Sequence, residues 1–124
     1  MSDRIILLLA ALGLVPIALS YGLVPSQSVP FLLGFPVEGT NQTHVFRAIM
    51  GLYFANVGLW IAGVGIASLR RTALWSLFIF MGGLASGRIL SLILDGFPGL
   101  VLTFYLVAEL TFASLALIAI RKRA

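Results

Sequence analysis

Two ionisable residues, Arg88 and Glu109, stand inside long apolar runs, where a charge needs either a partner or a task. Around them the spacing gathers further polar side chains. Ser91 and Asp95 follow Arg88 by three and seven residues and share its face if the segment is helical. Tyr105 precedes Glu109 by four and shares the face of that residue. Arg47 and Tyr53 stand on the preceding apolar run, with His44 at its start and Asn56 half a turn from Arg47. Such a set can do one of three things. A guanidinium oriented by a carboxylate can hold an anionic or carbonyl group, with Tyr105 or Tyr53 adding hydroxyl contacts. A buried carboxylate, Glu109 or Asp95, can act as an acid or base if its proton affinity is raised. A buried Arg–Glu pair can also be a plain lock that sets helix register.

The elements that carry these residues are set by composition. Hydrophobic residues make up 60% of the chain and charged residues only 10%, with a mean hydropathy of +1.12. Soluble domains carry about 25% charged residues, so no water-facing shell of normal size can be built. Four apolar runs, Ile5 to about Val24, Val45 to Leu69, Ala73 to Leu94 and Leu100 to Ile120, each approach the ~20 residues that cross a bilayer as a helix. The fold expected is all-α: a transmembrane four-helix bundle forming one domain over residues 1–124. Arg4 before an apolar stretch and the Ala18-Leu19-Ser20 run loosely resemble a signal peptide, but the stretch is long for one and reads as the first span. Pro16 is expected to kink it.

Residues 25–44 form the longest connection. Its prolines at 25, 30 and 36 exclude a continuous helix, leaving Phe31 to Phe35 on the bilayer surface or over the bundle mouth. Arg70-Arg71 and Asp95 to Gly99 read as the other two turns. Arg4, Arg70-Arg71 and the Arg121-Lys122-Arg123 tail fall on one side of a four-span hairpin arrangement. The 25–44 loop and the Asp95 turn contain no Lys or Arg. The positive-inside rule places both termini in the cytoplasm, and the 25–44 loop in the periplasm if the membrane is the bacterial inner membrane. Most polar candidates then fall in the periplasmic half, and the cytoplasmic half reads as plain Leu, Ile, Ala and Phe. That asymmetry argues against a proton or ion path through the whole thickness.

Small residues recur at helical spacing on the second span (Gly51, Ala55, Gly58, Ala62), and the third carries Gly83-x-x-x-Gly87. Both are expected to pack helices closely within the bundle, with a homodimer seam as the alternative. The net charge of +4 is accounted for by topology signals, without nucleic acid. With no cysteine, one histidine and scattered carboxylates, no metal site or cofactor is expected. No phosphate loop or nucleophile elbow is present.

The pattern Arg47-Ala48-x-x-Gly51-Leu52-Tyr53, then Gly87-Arg88 with Ser91 and Asp95-Gly96-x-Pro98, then Glu109, resembles the bacterial "domain of unknown function 4345" family of small four-span membrane proteins. The resemblance covers spans two to four and the Gly34-Phe35 segment. It implies fold and membrane location, attaches no activity, and suggests that Arg47, Tyr53, Arg88, Asp95 and Glu109 belong to one constellation. The leading expectation is a ligand-binding membrane protein with Arg88, Glu109, Tyr105, Ser91, Asp95, Arg47 and Tyr53 around a small amphipathic or lipid-like molecule. An accessory subunit of a larger membrane complex, or a homo-oligomer, is the second; a membrane enzyme is the third.

Overall fold

The computed structural model describes residues 1–122, so Arg123 of the basic tail lies outside the described residues. It is all-helical: α1 (Asp3–Gly22), α2 (Pro25–Leu33), α3 (Gly39–Gly65), α4 (Ala67–Asp95) and α5 (Leu100–Lys122). Four of them, α1, α3, α4 and α5, are long and apolar enough to cross a membrane, the pattern of a multi-pass membrane protein. Each satisfies its backbone hydrogen bonds internally, as lipid requires.

The helix limits differ from those read off hydropathy, and each difference has a physical cause. Hydropathy marks the stretch that can lie in hydrocarbon, whereas a helix can continue into water. Thus α3 begins six residues before Val45, at Gly39. Its start is closed by the side chain of Gln42, whose Oε1 accepts the Glu38 N–H at 2.7 Å, in the manner of a capping box. Arg70 and Arg71 are not a turn. The break between α3 and α4 is the single extended residue Ile66 (φ −118°, ψ 110°), and both arginines lie on α4.

Residues 25–44 form no continuous helix, since the chain breaks between Leu33 and Gly39, but the prolines leave a short helix, α2, that hydropathy did not suggest. Pro25 sits at its start, where no N–H is needed, and Pro30 removes one internal bond from the nine-residue α2. Gly34 ends it in the left-handed conformation (φ 80°), its N–H donating to the Pro30 carbonyl at 3.1 Å. Ser28 Oγ donates to the Ser20 carbonyl and ties α2 to the end of α1. In α1 the helix runs through Pro16 without interruption.

The helices run alternately up and down. α1 packs mainly on α3, α3 on α4, and α4 on α5, with weaker contact between α1 and the α4/α5 pair. The core comprises Leu7 and Ala10 of α1, Trp60 of α3, Leu74 and Leu77 of α4, and Ala116 of α5. One end of the molecule holds the α3–α4 break, the start of α1 and the end of α5. There Arg70 donates from Nε to the Gly63 carbonyl (2.9 Å) and from Nη2 to Val64 (3.0 Å), satisfying the last carbonyls of α3. Arg71 reaches the Ile120 carbonyl of α5 at 3.4 Å. The arginines read as topology signals therefore also cap two helix ends. The other end carries α2 and the Gly96 turn.

Between these ends lies a polar chain that hydropathy does not reveal. Trp60 Nε1 donates to Ser76 Oγ (3.2 Å), which donates to Asn56 Oδ1 (3.0 Å), while Asn56 Nδ2 donates to the Leu52 carbonyl (3.0 Å). It bridges α3 and α4 in the half nearer the Arg70 end. That half is thus not plain, and Trp60, fully buried with its N–H bonded, is not an ordinary lipid-facing aromatic.

Candidate functional site

Arg88 and Glu109 meet. Arg88 Nε donates to both carboxylate oxygens, at 2.8 and 3.0 Å, the only ion pair among the described residues. The reason is their similar depth on α4 and α5. Arg88 precedes the end of α4 by seven residues, roughly 10 Å, and Glu109 follows the start of α5 by nine, roughly 13 Å. Glu109 is buried at 6% exposure, whereas the Arg88 side chain is 22% exposed. Glu109 therefore holds the inner edge of the guanidinium and neutralises it. The two Nη amines are the part those bonds leave untaken.

All three tyrosines of the chain stand around this pair. Tyr105 lies beneath the guanidinium, with Arg88 Cζ 5.8 Å from its ring centre. Tyr21 shares a cavity wall with Arg88 and Tyr53. The Tyr21 and Tyr53 rings meet edge to face at 5.6 Å. From there aromatic contacts continue outward to Phe46 (6.0 Å from Tyr21) and Phe35 (6.1 Å from Phe46), and inward through Phe80 (5.1 Å from Tyr53) to Trp60. Tyr21 was missed by sequence reasoning because the first span looked generic. A lone tyrosine closing an otherwise aliphatic run was the available signal.

Two cavities adjoin Arg88. The larger, about 680 Å³, opens at the α2 end and is lined by Tyr21, Phe46 and Tyr53 on one side and by Gly83, Gly87 and Arg88 on the other. Ser91, Asp95 and Phe97 continue the α4 wall, and Phe35 comes from the segment after α2. The smaller, about 180 Å³, lies between α1 and α5, with Glu109, Tyr105 and Phe112 facing Gly13 and Leu14. Arg88, Tyr53 and Leu84 line both and form the partition. The larger volume falls within the ~300–1,000 Å³ usual for small-molecule sites, and its wall is mostly apolar with a few polar groups, as such sites require.

Six of the seven expected residues are brought to these two cavities. Ser91 Oγ donates to Asp95 Oδ2 at 2.8 Å, one turn apart, and both side chains are exposed. Arg47 is the exception: it is exposed on α3, and Phe46 and Ile49 face the larger cavity in its place. One residue of helical rotation separates Arg47 from Phe46, a distinction that spacing alone could not make.

The glycine patterns also land differently from expectation. Gly51 and Gly58 of the α3 stripe are exposed, and a Cβ at either would meet nothing within 4 Å. Gly83 and Gly87 are equally open and line the larger cavity. The tight approaches are elsewhere: a Cβ on Gly22 would clash with Met50, and one on Gly63 would come within 2.5 Å of Ala73 Cβ. A small-xxx-small pattern shows only one side of such a contact, and what lies opposite decides whether the helices approach.

A family model described as Domain of unknown function (DUF4345) matches residues 2–120. The chain belongs to that family. For the DUF4345 chain, the match extends the resemblance seen in spans two to four through α1, the helix that contributes Tyr21 to the site. No curated protein and no solved structure matches the chain.

Proposed function

We propose that this DUF4345 protein is a four-helix transmembrane bundle that binds a small amphipathic or lipid-like molecule in the cavity beside Arg88. The observation that carries the reading is a cavity of about 680 Å³ with a polar wall (Arg88, Ser91, Asp95), at the end of the molecule that carries α2 and the Gly96 turn. Apolar and aromatic side chains on the remaining walls suit a hydrocarbon portion, and the polar wall suits a head. In this reading both termini are cytoplasmic, since Arg4, Arg70, Arg71, Arg121 and Lys122 share one end. The cavity then faces the outer leaflet or periplasm of a bacterial inner membrane. Because the chain has no cysteine, single-cysteine variants report topology directly. Gly99→Cys is expected to react with an impermeant thiol reagent added outside the cell, and Thr72→Cys only after permeabilisation.

Native mass spectrometry of the purified protein tests the ligand. Wild type is expected to retain a defined small molecule that Arg88→Ala loses. Since Arg88→Ala also strands Glu109, Gly87→Leu serves beside it: Gly87 lines the cavity, and a Cβ added there meets nothing within 4 Å. Identical non-specific lipid adducts in wild type and both variants would end this reading.

A further inference from the structure

The charge balance of the larger cavity bears on which amphiphile fits it. The cavity is lined by two charged side chains, Arg88 and Asp95. Arg88 already carries its counter-charge, because its Nε is bonded to both oxygens of Glu109. Asp95 makes no ion pair among the described residues, and its one side-chain partner is the neutral Ser91 hydroxyl. Arg47, the nearest cation in sequence on α3, does not line the cavity. The uncompensated charge of the cavity is therefore negative. Arg88 meets its counter-charge in Glu109, so Asp95 is the charge on the cavity wall left without an opposite one.

The remaining wall fits the same sign. Five aromatic rings line the cavity, from Tyr21, Phe35, Phe46, Tyr53 and Phe97. Aromatic faces attract weakly hydrated cations through their quadrupole, and an ammonium head surrounded by rings near a carboxylate is the usual form of that recognition. Phe97 is next-but-one to Asp95 and 88% exposed, so its ring is free to turn over a bound head. Below Asp95, the bare backbone of α4 at Gly87 and Gly83 leaves a smooth strip of room for an alkyl chain.

We propose that the larger cavity takes an amphiphile with a positively charged ammonium head, held by Asp95 among the aromatic rings, with its alkyl tail along Gly87 and Gly83. This rests on the reading of the cavity as a ligand site and adds the sign of the head. The test titrates the full chain, in maltoside micelles, with dodecyltrimethylammonium or with dodecanoate, and counts adducts by native mass spectrometry. One saturable cation adduct is expected, with weaker binding of dodecanoate. Asp95→Asn is expected to raise the half-saturating cation concentration about tenfold, the size of one close charge pair in a water-facing site. Phe97→Leu is expected to raise it a few-fold, and Glu38→Gln, a carboxylate outside the cavity, to leave it unchanged. Dodecanoate binding as tightly as the cation, or Asp95→Asn behaving like Glu38→Gln, overturns the ammonium assignment while leaving a ligand site. No saturable adduct of either charge removes the cavity reading as well.

Discussion

Helices α3 and α4 meet in two different ways along their length. Near Ile66, Gly63 lies against Ala73 with no room for a methyl group, and Arg70 closes the carbonyl end of α3. Further along, Trp60, Ser76 and Asn56 join the helices through side-chain hydrogen bonds. Past Phe80 the same two helices are separated by the larger cavity, with Gly83 and Gly87 facing open space. Glycine therefore has opposite roles at the two ends. At Gly63 it permits contact, and at Gly83 and Gly87 it leaves contact out. A clamped end and an open end on one helix pair let a cavity exist without loosening the rest of the fold.

The comparison can be broken most severely at Glu109. Glu109→Ala leaves Arg88 without its counter-charge and is expected to cost about 3 kcal/mol, the low end for a broken buried pair because Arg88 reaches a cavity. Replacing both residues by Met should recover most of that loss, as measured by thermal unfolding in detergent. The clamped end comes next. Gly63→Val forces a side chain against Ala73 and Leu7 and is expected to destabilise by about 1–3 kcal/mol in the same assay. Ser76→Ala cuts both the Trp60 and Asn56 bonds; interhelical bonds in membranes average ~0.6 kcal/mol, so a loss near 1 kcal/mol is expected. A red-shifted or quenched Trp emission should accompany it. The smallest effect on stability belongs to the open end. Gly87→Leu is expected to stay within about 0.5 kcal/mol of wild type while reducing ligand occupancy. Should Gly87→Leu prove as destabilising as Gly63→Val, the two ends would not differ as described.

Much of this was legible before any coordinates. The apolar runs announced four spans, since hydrocarbon thickness sets their length. The similar depths of Arg88 and Glu109 announced their pairing, because two unpaired charges at one level in lipid are costlier than one pair. Helix ends were less legible. Polar residues 39–44 are helical although they lie outside the apolar run, and a proline at position 30 was accommodated by giving up a single bond. The α3 glycine stripe was misread for a different reason. Its spacing was right, but whether a neighbour lies opposite depends on the rotation of α3, which buries Tyr53, Val57 and Trp60 and turns Gly51 and Gly58 outward.

The sequence by itself determined that the chain is helical and membrane-compatible, that most of its Lys and Arg residues fall at one end of a hairpin arrangement, and that Arg88 and Glu109 stand at similar depths and can satisfy each other. These follow from composition, run length and depth, which are properties of each helix alone. Only the tertiary structure decided which faces meet. It brought Tyr21 to Arg88, left Arg47 outside, joined Trp60 to Asn56 through Ser76, and placed Asp95 on a cavity wall without an opposing charge. Those outcomes depend on the rotation of one helix against another. That rotation is settled by the packing of all four long helices together, and no single helix encodes it.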